Sequence, residues 1–209
     1  MSRIYLVRHG ETDWNKEDRC QGCIDIDLNS EGVRQAEFVA QRLVNEEIHA
    51  LYCSNLKRAY RTAQIIAKAL NLSITRSEAL NEISFGDWEG LTFEEIRNRH
   101  DYDYNTWRLS PHTANFPGEG SLANVKKRVM KYVDEIISQN EGKNILIVSH
   151  GGVIKLIILG LLGIGLEAYN KFYIANTSLS IVHIEKDRRY LRTLNDTCHV
   201  GRVLERKNW

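Results

Sequence analysis

Short apolar runs alternate along this chain with amphipathic stretches of helical period. Ile4-Tyr-Leu-Val7 is an apolar run that stops at Arg8-His9-Gly10, and it predicts a buried strand. From Ser30, apolar residues recur at Val33, Ala36, Ala40, Leu43 and Val44, which is the spacing of a helix. Ala50-Leu-Tyr-Cys53 predicts a second strand. Ser54 or Asn55 is expected to cap the next helix, whose buried face would carry Leu56, Ala59, Ala63, Ile66, Ala67 and Leu70. Ser73 to Thr75 predicts a third short strand, and Thr92-Phe-Glu-Glu95 has the spacing of a capping box. Ser121 is expected to cap a helix with Leu122, Val125, Val129, Val133 and Ile136 on one face. Ile145-Leu-Ile-Val148 is the clearest strand. It ends at Ser149-His150-Gly151-Gly152, and an apolar helix follows. Ser178 to Ile184 and Tyr190 to Leu194 predict a closing hairpin around Lys186-Asp187.

Strands alternating with helices predict an α/β three-layer sandwich, a mostly parallel central sheet flanked by helices. The length of 209 residues, with no repeat or linker, predicts one domain over 1–209. A lid-like segment is expected at about 92–120. Sites in open α/β sheets gather at the carboxyl ends of strands. Both His-Gly pairs fall there, so His9 and His150 are expected to face one crevice.

Hydrophobic residues make up 43% and charged residues 26%, the balance of a soluble globular protein. The formal net charge is +1, without a basic block. That argues against a nucleic-acid surface and leaves room for a local basic pocket for a small anion. The sequence runs from Met1 directly into a strand, so no signal peptide is expected. The longest apolar stretch, Val153 to Leu166, contains Lys155 and falls short of the roughly 18 residues of a membrane span. A core helix is the better reading. Four cysteines without a leader suggest free thiols in a reducing cytoplasm. The expectation is a cytoplasmic monomer or homodimer with neither nucleic acid nor membrane as partner.

Four clusters carry candidate chemistry. In Arg8-His9-Gly10-Glu11-Thr12-Asp13-Trp14-Asn15, His9 offers a nitrogen nucleophile and Arg8 a planar fork for phosphate oxygens. Gly10 would admit an anion close to the backbone, and Thr12 and Asn15 could donate to it. The same segment also reads as an ordinary strand exit. In Ser54 to Thr62, Arg58 lies in the first turn of its helix, where its charge adds to the positive helix end and favours a bound anion. Lys57 and Arg61 read as solvated. In Glu82 to Gly90, Glu82 adjoins an apolar Ile-x-Phe run, where partial burial would favour its protonated form and suit a proton donor. A salt-bridge role is the alternative for Glu82, and Asp87 and Glu89 read as surface charges. In Ser149 to Gly152, His150 could stabilise the transferring oxygens and helix-start amides could hold an anion. Taken alone, His150 reads as a satisfied core histidine.

Taken together, the four clusters resemble the histidine phosphatase superfamily. The matching patterns are Arg-His-Gly-x-Thr-x-x-Asn at 8–15, Ser-x-Leu-x-Arg-x-x-x-Thr at 54–62, Glu-x-x-x-Gly-x-Trp-Glu-Gly at 82–90 and Ser-His-Gly-Gly at 149–152. The family includes cofactor-dependent phosphoglycerate mutases, alpha-ribazole phosphatases and broad-specificity phosphatases. The resemblance implies a phosphoglycerate mutase-like fold. It makes His9 the phosphorylated nucleophile and Glu82 the proton donor, with Arg8, Arg58, His150, Asn15 and Gly151 around the phosphate. Gln21 and Gly22 match a loop that touches ligand, and Phe85 is a further substrate-side candidate. The set would work without metal or cofactor, because phosphoryl transfer depends mainly on positioning and charge stabilisation.

The interval from Glu82 to His150 is shorter than in the mutases and contains no Arg-Arg pair; Arg97 and Arg99 are isolated. This favours a phosphatase of small phosphorylated metabolites over a mutase. Phe85, Trp88, Tyr102, Tyr104 and Trp107 suggest an aromatic leaving group, with alpha-ribazole 5′-phosphate first and phosphoserine or sugar phosphates behind it. Trp88 and Trp107 could equally be core. Phe116-Pro-Gly-Glu-Gly-Ser121 departs from the family's Pro-Gly-Gly-Glu-Ser order and leaves Glu119 without a role. Cys20-x-x-Cys23 invites a zinc or redox site, but no second pair completes four ligands. A metallohydrolase is disfavoured, since Arg8 and Arg58 would repel the cation. A non-catalytic phospholigand-binding module would require loss of His9, Glu82 or His150, and all three are present.

Overall fold

The computed structural model describes residues 2–186 and 188–201. Among them, β1 (Ser2–Arg8), β2 (Ala50–Ser54), β3 (Ile74–Ser77), β4 (Ile145–Ser149), β5 (Leu179–Ile184) and β6 (Arg189–Asp196) form one sheet in the order β3-β2-β4-β1-β5-β6. The first four in that order run parallel; β5 is antiparallel to β1, and β6 to β5. The expected hairpin is therefore present, while Asp187 of its turn lies outside the described residues.

Alternation along the strands divides the core in two. Tyr5 and Val7 of β1 face one side with Leu146 and Val148 of β4. There they meet Val39, Ala40 and Leu43 of α2 (Ser30–Leu43) and Ala59, Ala63 and Ile66 of α3 (Lys57–Leu70). Ile4, Leu6, Ile145 and Ile147 face the other side. Against them pack Val125, Val129 and Val133 of α6 (Leu122–Gln139) and the apolar α7 (Gly151–Leu162). These strands are buried on both faces, which is why they read as continuous apolar runs. No helix among the described residues is long and apolar enough to cross a membrane.

Several local expectations change. A short α1 (Asp13–Lys16) follows β1, closed by a capping box in which Thr12 and Asn15 bond each other reciprocally. Asn29, one residue before Ser30, caps α2 by accepting from Gly32 N–H. Neither Ser54 nor Asn55 caps α3. Its N-cap is Leu56, whose side chain has no polar atom to make a capping bond. Of the amides at this helix start, Ser54 Oγ accepts only from the N-cap residue's own N–H, and its proton goes to Asn81. The capping box at Thr92 and Glu95 opens α4 (Phe93–Arg99), and Ser121 caps α6, both as expected. Segment 92–120 consists of α4, α5 (Asp101–Leu109) and a loop; it adds Ile96, Tyr104, Ala114 and Phe116 to the α6–α7 core.

Candidate active site

The pairing of β1 with β4 sets Arg8 opposite Ser149, so the two chains leave the sheet side by side. His9 N–H donates to the Ser149 carbonyl at 2.9 Å, and the His9 and His150 rings lie 5.1 Å apart. The two histidines expected to share a crevice do so, and both are buried.

His9 Nδ1 lies 2.7 Å from the carbonyl oxygen of Gly10. A carbonyl can only accept, so the proton sits on Nδ1 and Nε2 keeps its lone pair. Burial first, then Arg58 and Arg8, holds the ring well below the usual histidine range. His9 thus presents a neutral, oriented Nε2 lone pair, the form a nitrogen nucleophile requires. The same causes, with His9 and Arg128 added, push His150 down as well.

Arg58 is wholly buried at the start of α3. Its Nη1 and Nη2 donate to the carbonyls of Ile24 and Gly22 at 2.8 and 2.7 Å, so it also anchors the loop carrying Gln21 and Gly22. Burial brings its guanidinium down to about 10, which leaves it cationic at neutral pH. Arg8 Nη1 donates to the carbonyl of Ile174 at 2.7 Å. Arg8 Nε, Arg58 Nε and His150 Nδ1 are buried nitrogens without a protein partner. Trp88 Nε1, Ser178 Oγ, His183 Nε2 and His199 Nδ1 are also unpartnered, so what points to an anion is that three of these atoms belong to two buried cations and a histidine of one crevice. Gly151 opens α7 against Arg8, where a β-carbon would stand 3.5 Å from Arg8 Nε.

Glu82 is half-buried and held through its carboxylate. Oε1 accepts from Ile83 N–H at 3.0 Å and Oε2 from Gly152 N–H at 3.3 Å. A β-carbon at residue 152 would come within 2.7 Å of Glu82 Oε1, so Gly152 is required for this approach. One of the helix-start amides expected to hold an anion therefore holds the proton-donor candidate instead.

Gly10 and Thr12 also serve other ends than expected. A β-carbon on Gly10 would collide with the Gly32 backbone, and Gly10 N–H donates to Thr62 Oγ1 at 3.0 Å. Gly10 is a packing requirement of α2. The Thr12 hydroxyl is spent on Asn15 Oδ1, which leaves Asn15 only its amide nitrogen to offer a ligand. Gln21 is buried, with Oε1 unpartnered. Phe85 is half-buried and stacked on Trp88, with Trp107 and Phe116 against its other sides. Lys57, Arg61 and Asp87 are exposed, as read.

Glu89 is no surface charge: Oε1 accepts from Cys23 N–H, Phe85 N–H and the Ser84 hydroxyl, and so joins the Gln21–Gly22 loop to the Glu82 segment. Cys20 and Cys23 are free thiols in this junction; burial pushes both upward, Cys23 to about 11. Thiols held protonated in this way are poor nucleophiles. Among the described residues, no group of three or more His, Cys, Asp or Glu could hold a metal ion.

The pattern of residues did not flag Asn176, Thr177, Asn81 or Arg128. Asn176 Nδ2 donates to the carbonyls of His9 and Gly10 at 3.0 and 3.2 Å. Thr177, buried at φ +52°, donates its N–H to the Arg8 carbonyl. That backbone is costly for a β-branched residue, a kind of strain that collects at functional sites. Arg128 and Asn81 act on Glu82 and His150 from behind, and no local signal distinguishes either.

The model of the histidine phosphatase superfamily, branch 1, matches residues 4–197. The chain belongs to the histidine phosphatase superfamily. It is 37% identical over 201 residues to phosphoserine phosphatase 1 of Hydrogenobacter thermophilus, covering 96% of this chain and 95% of that one. A histidine-to-alanine mutant of phosphoserine phosphatase from Entamoeba histolytica, in complex with phosphoserine, superposes with a TM-score of 0.85 at 37% identity, over 96% of this chain and 100% of that one. The alpha-ribazole phosphatase of Shigella flexneri gives a TM-score of 0.84 at 29% identity, over 93% of this chain and 96% of that one. Phosphatase is the activity class that this membership and these relatives support.

Proposed function

We propose that this protein hydrolyses small phosphomonoesters through a phosphohistidine on His9, with phosphoserine as the leading substrate. The observation that carries the reading is the His9 ring: Nδ1–H is fixed on the Gly10 carbonyl, and the ring is buried among Arg8, Arg58 and His150. Nε2 attacks phosphorus. The guanidinium groups and His150 balance the charge on the equatorial oxygens. Glu82 protonates the departing alkoxide, then takes a proton from the water that attacks the phosphohistidine. Asn15 and Gly151 border the phosphate; Gln21, Gly22 and Phe85 lie on the substrate side, with Phe85 packed on Trp107 and Phe116 of segment 92–120. No step calls for a metal.

Phosphoserine replaces alpha-ribazole 5′-phosphate as first candidate for two reasons. Relatives matched over nearly the whole chain at 37% identity are phosphoserine phosphatases by name, whereas phosphoglycerate mutase-like protein 4 of Arabidopsis thaliana, at 39%, matches over only 157 residues. The aromatic residues that favoured an aromatic leaving group are largely spent on one another: Trp88 and Tyr104 are buried, Trp107 packs on Phe85, Phe116 and Tyr169, and Tyr102 is 82% exposed.

The deciding experiment combines a phosphomonoester panel, without added metal, with acid-quench trapping of the phosphoenzyme. Phosphoserine should head the panel and the acid-labile phosphate should map to His9. His9→Ala should lose at least about three orders of magnitude in turnover. Phosphate trapped on His150, or full turnover by His9→Ala, would refute the mechanism.

A further inference from the structure

His9 and His150 carry their protons on opposite ring nitrogens, and a closed chain of hydrogen bonds fixes the second of them. The chain begins at Asn81. Its Oδ1 lies 2.9 Å from the backbone N–H of Asn55 and 2.7 Å from Ser54 Oγ. A backbone N–H can only donate, so the Asn81 atom is the amide oxygen, and the single Ser54 proton points to it. The Ser54 oxygen then has two lone pairs left. One accepts from Leu56 N–H at 3.1 Å. The other faces His150 Nε2 at 2.8 Å. With its proton already given away, Ser54 can only accept from the ring, so Nε2 of His150 carries the hydrogen.

Neutral His150 in this arrangement turns a bare lone pair, that of Nδ1, towards its unpartnered side. A lone pair repels a phosphate oxygen, whereas an Nδ1–H would bind it. The ring cannot move its hydrogen from Nε2 to Nδ1 without breaking the bond to Ser54.

We propose that Ser54 and Asn81 are positioning residues that lock His150 as the Nε2–H form, so that a tetrahedral dianion binds to this pocket together with one added proton on His150 Nδ1. The proton comes from solvent, or from the acidic hydroxyl of a monoanionic ester: an N–H bond forms at Nδ1 as the donor's O–H bond breaks, the donor oxygen keeps the electron pair, and no bond to phosphorus changes. The inference rests on the phosphoryl-transfer reading only in taking such an anion as the ligand.

The charges around the ring explain why the proton arrives with the anion. Arg58 from α3, Arg8 and His9 from the end of β1, and Arg128 from α6 all disfavour a cation at His150. Glu82, bonded to Gly152 N–H, is the nearby acid of opposite effect. A dianion reverses the balance and makes the imidazolium favourable.

Two measurements test this on the whole protein. Long-range proton–nitrogen correlation spectra of the ligand-free protein should show the His150 hydrogen on Nε2 and the His9 hydrogen on Nδ1. The second measurement uses sulfate, which stays a dianion throughout the working range, so any proton taken up must go to the protein. Above neutral pH its affinity should fall about tenfold per pH unit, the slope for one linked proton. His9→Ala should retain that slope. In Ser54→Ala the ring is free to place its one hydrogen on Nδ1, so the slope should flatten even where affinity is retained. Ser54→Thr keeps the hydroxyl and should restore it. A ligand-free ring with its hydrogen on Nδ1, or a flat sulfate profile in the wild type, would overturn the proposal and leave the phosphatase reading standing. Loss of the slope in His9→Ala would assign the proton to His9 and overturn it equally. Absence of any sulfate or phosphate binding would overturn both.

Discussion

Arg128 of α6 grips Glu119 through two parallel hydrogen bonds, Nε to Oε1 and Nη2 to Oε2, each 2.8 Å long. The rest of its fork reaches the turn that leads to Glu82: Nη1 donates to the carbonyls of Ala79 and Asn81 at 2.9 and 3.0 Å. Glu119 in turn accepts from Ser84 N–H at 3.1 Å. The backbone on both sides of the proton-donor candidate is thus held by one ion pair. The exchanged glycine and glutamate at 119 and 120 still deliver a carboxylate that does this work.

The first prediction follows from that clamp. Arg128→Ala should lower kcat about tenfold to a hundredfold, as expected for a small displacement of a catalytic group, with much less change in KM. Stability should fall by about 1–3 kcal/mol, since the carboxylate and carbonyls lose a shared donor. Arg128→Lys should recover little, because an ammonium cannot reproduce the planar fork. Steady-state kinetics and urea denaturation on the three proteins check this. An unchanged kcat in Arg128→Ala would show that the clamp is irrelevant to Glu82.

Glu82 itself is tested by leaving-group chemistry. Glu82→Gln keeps the shape and one of the two accepted backbone bonds, but its amide nitrogen cannot accept the other and it cannot shuttle a proton. Turnover of alkyl phosphates such as phosphoserine should drop about a hundredfold or more. A nitrophenyl phosphate, whose leaving group barely needs protonation, should lose far less. Equal losses on both would make Glu82 structural.

The sheet and the two histidines were legible in the sequence because both depend on local pattern. Fully buried strands show as apolar runs, and each of the two candidate histidines stands at the end of one. The clamp and the relay were not legible, for a different reason in each case. Arg128 ends a Lys126-Lys127-Arg128 run that carries no local mark of a partner; only the fold brings the carbonyls of residues 79–82 to it. Ser54 stands where a cap is expected and its oxygen does accept from Leu56 N–H, but its proton and remaining lone pair go to long-range partners, Asn81 and His150. Gly10 shows the converse: its motif pointed to the anion, whereas its lack of a side chain is required by the backbone of α2.

Burial of two neutral histidines predicts an acid-sensitive fold. Both are held below the usual histidine range, by burial first and then by neighbouring cations. The unfolded chain therefore takes up protons below about pH 6.5 that the folded chain refuses, and stability falls as pH drops from there towards the lower folded values. The slope is at most about 1.4 kcal/mol per pH unit for each histidine. Above that range these two groups contribute no pH dependence. Urea midpoints measured at several pH values should decline on the acid side, and His9→Asn with His150→Asn should flatten the decline. An identical decline in the double variant would place its origin in other groups.

The last prediction concerns the fate of the phosphohistidine. A mutase must hold a phosphoglycerate by its carboxylate as well as its phosphate, and keep water out while the intermediate turns round. Arginines available for such a clamp between Glu82 and His150 are poorly placed. Arg97, Arg99 and Arg108 are exposed, with Arg99 paired to Glu95, and Arg128 is committed to Glu119. A phosphoglycerate would then be held mainly by its phosphate, and its alcohol product would leave before it could be rephosphorylated. Phosphate release should accordingly exceed interconversion of 2- and 3-phosphoglycerate by a wide margin. Both rates can be followed in one assay primed with bisphosphoglycerate. Interconversion that outpaced phosphate release would make the protein a mutase, with His9 still carrying the phosphoryl group.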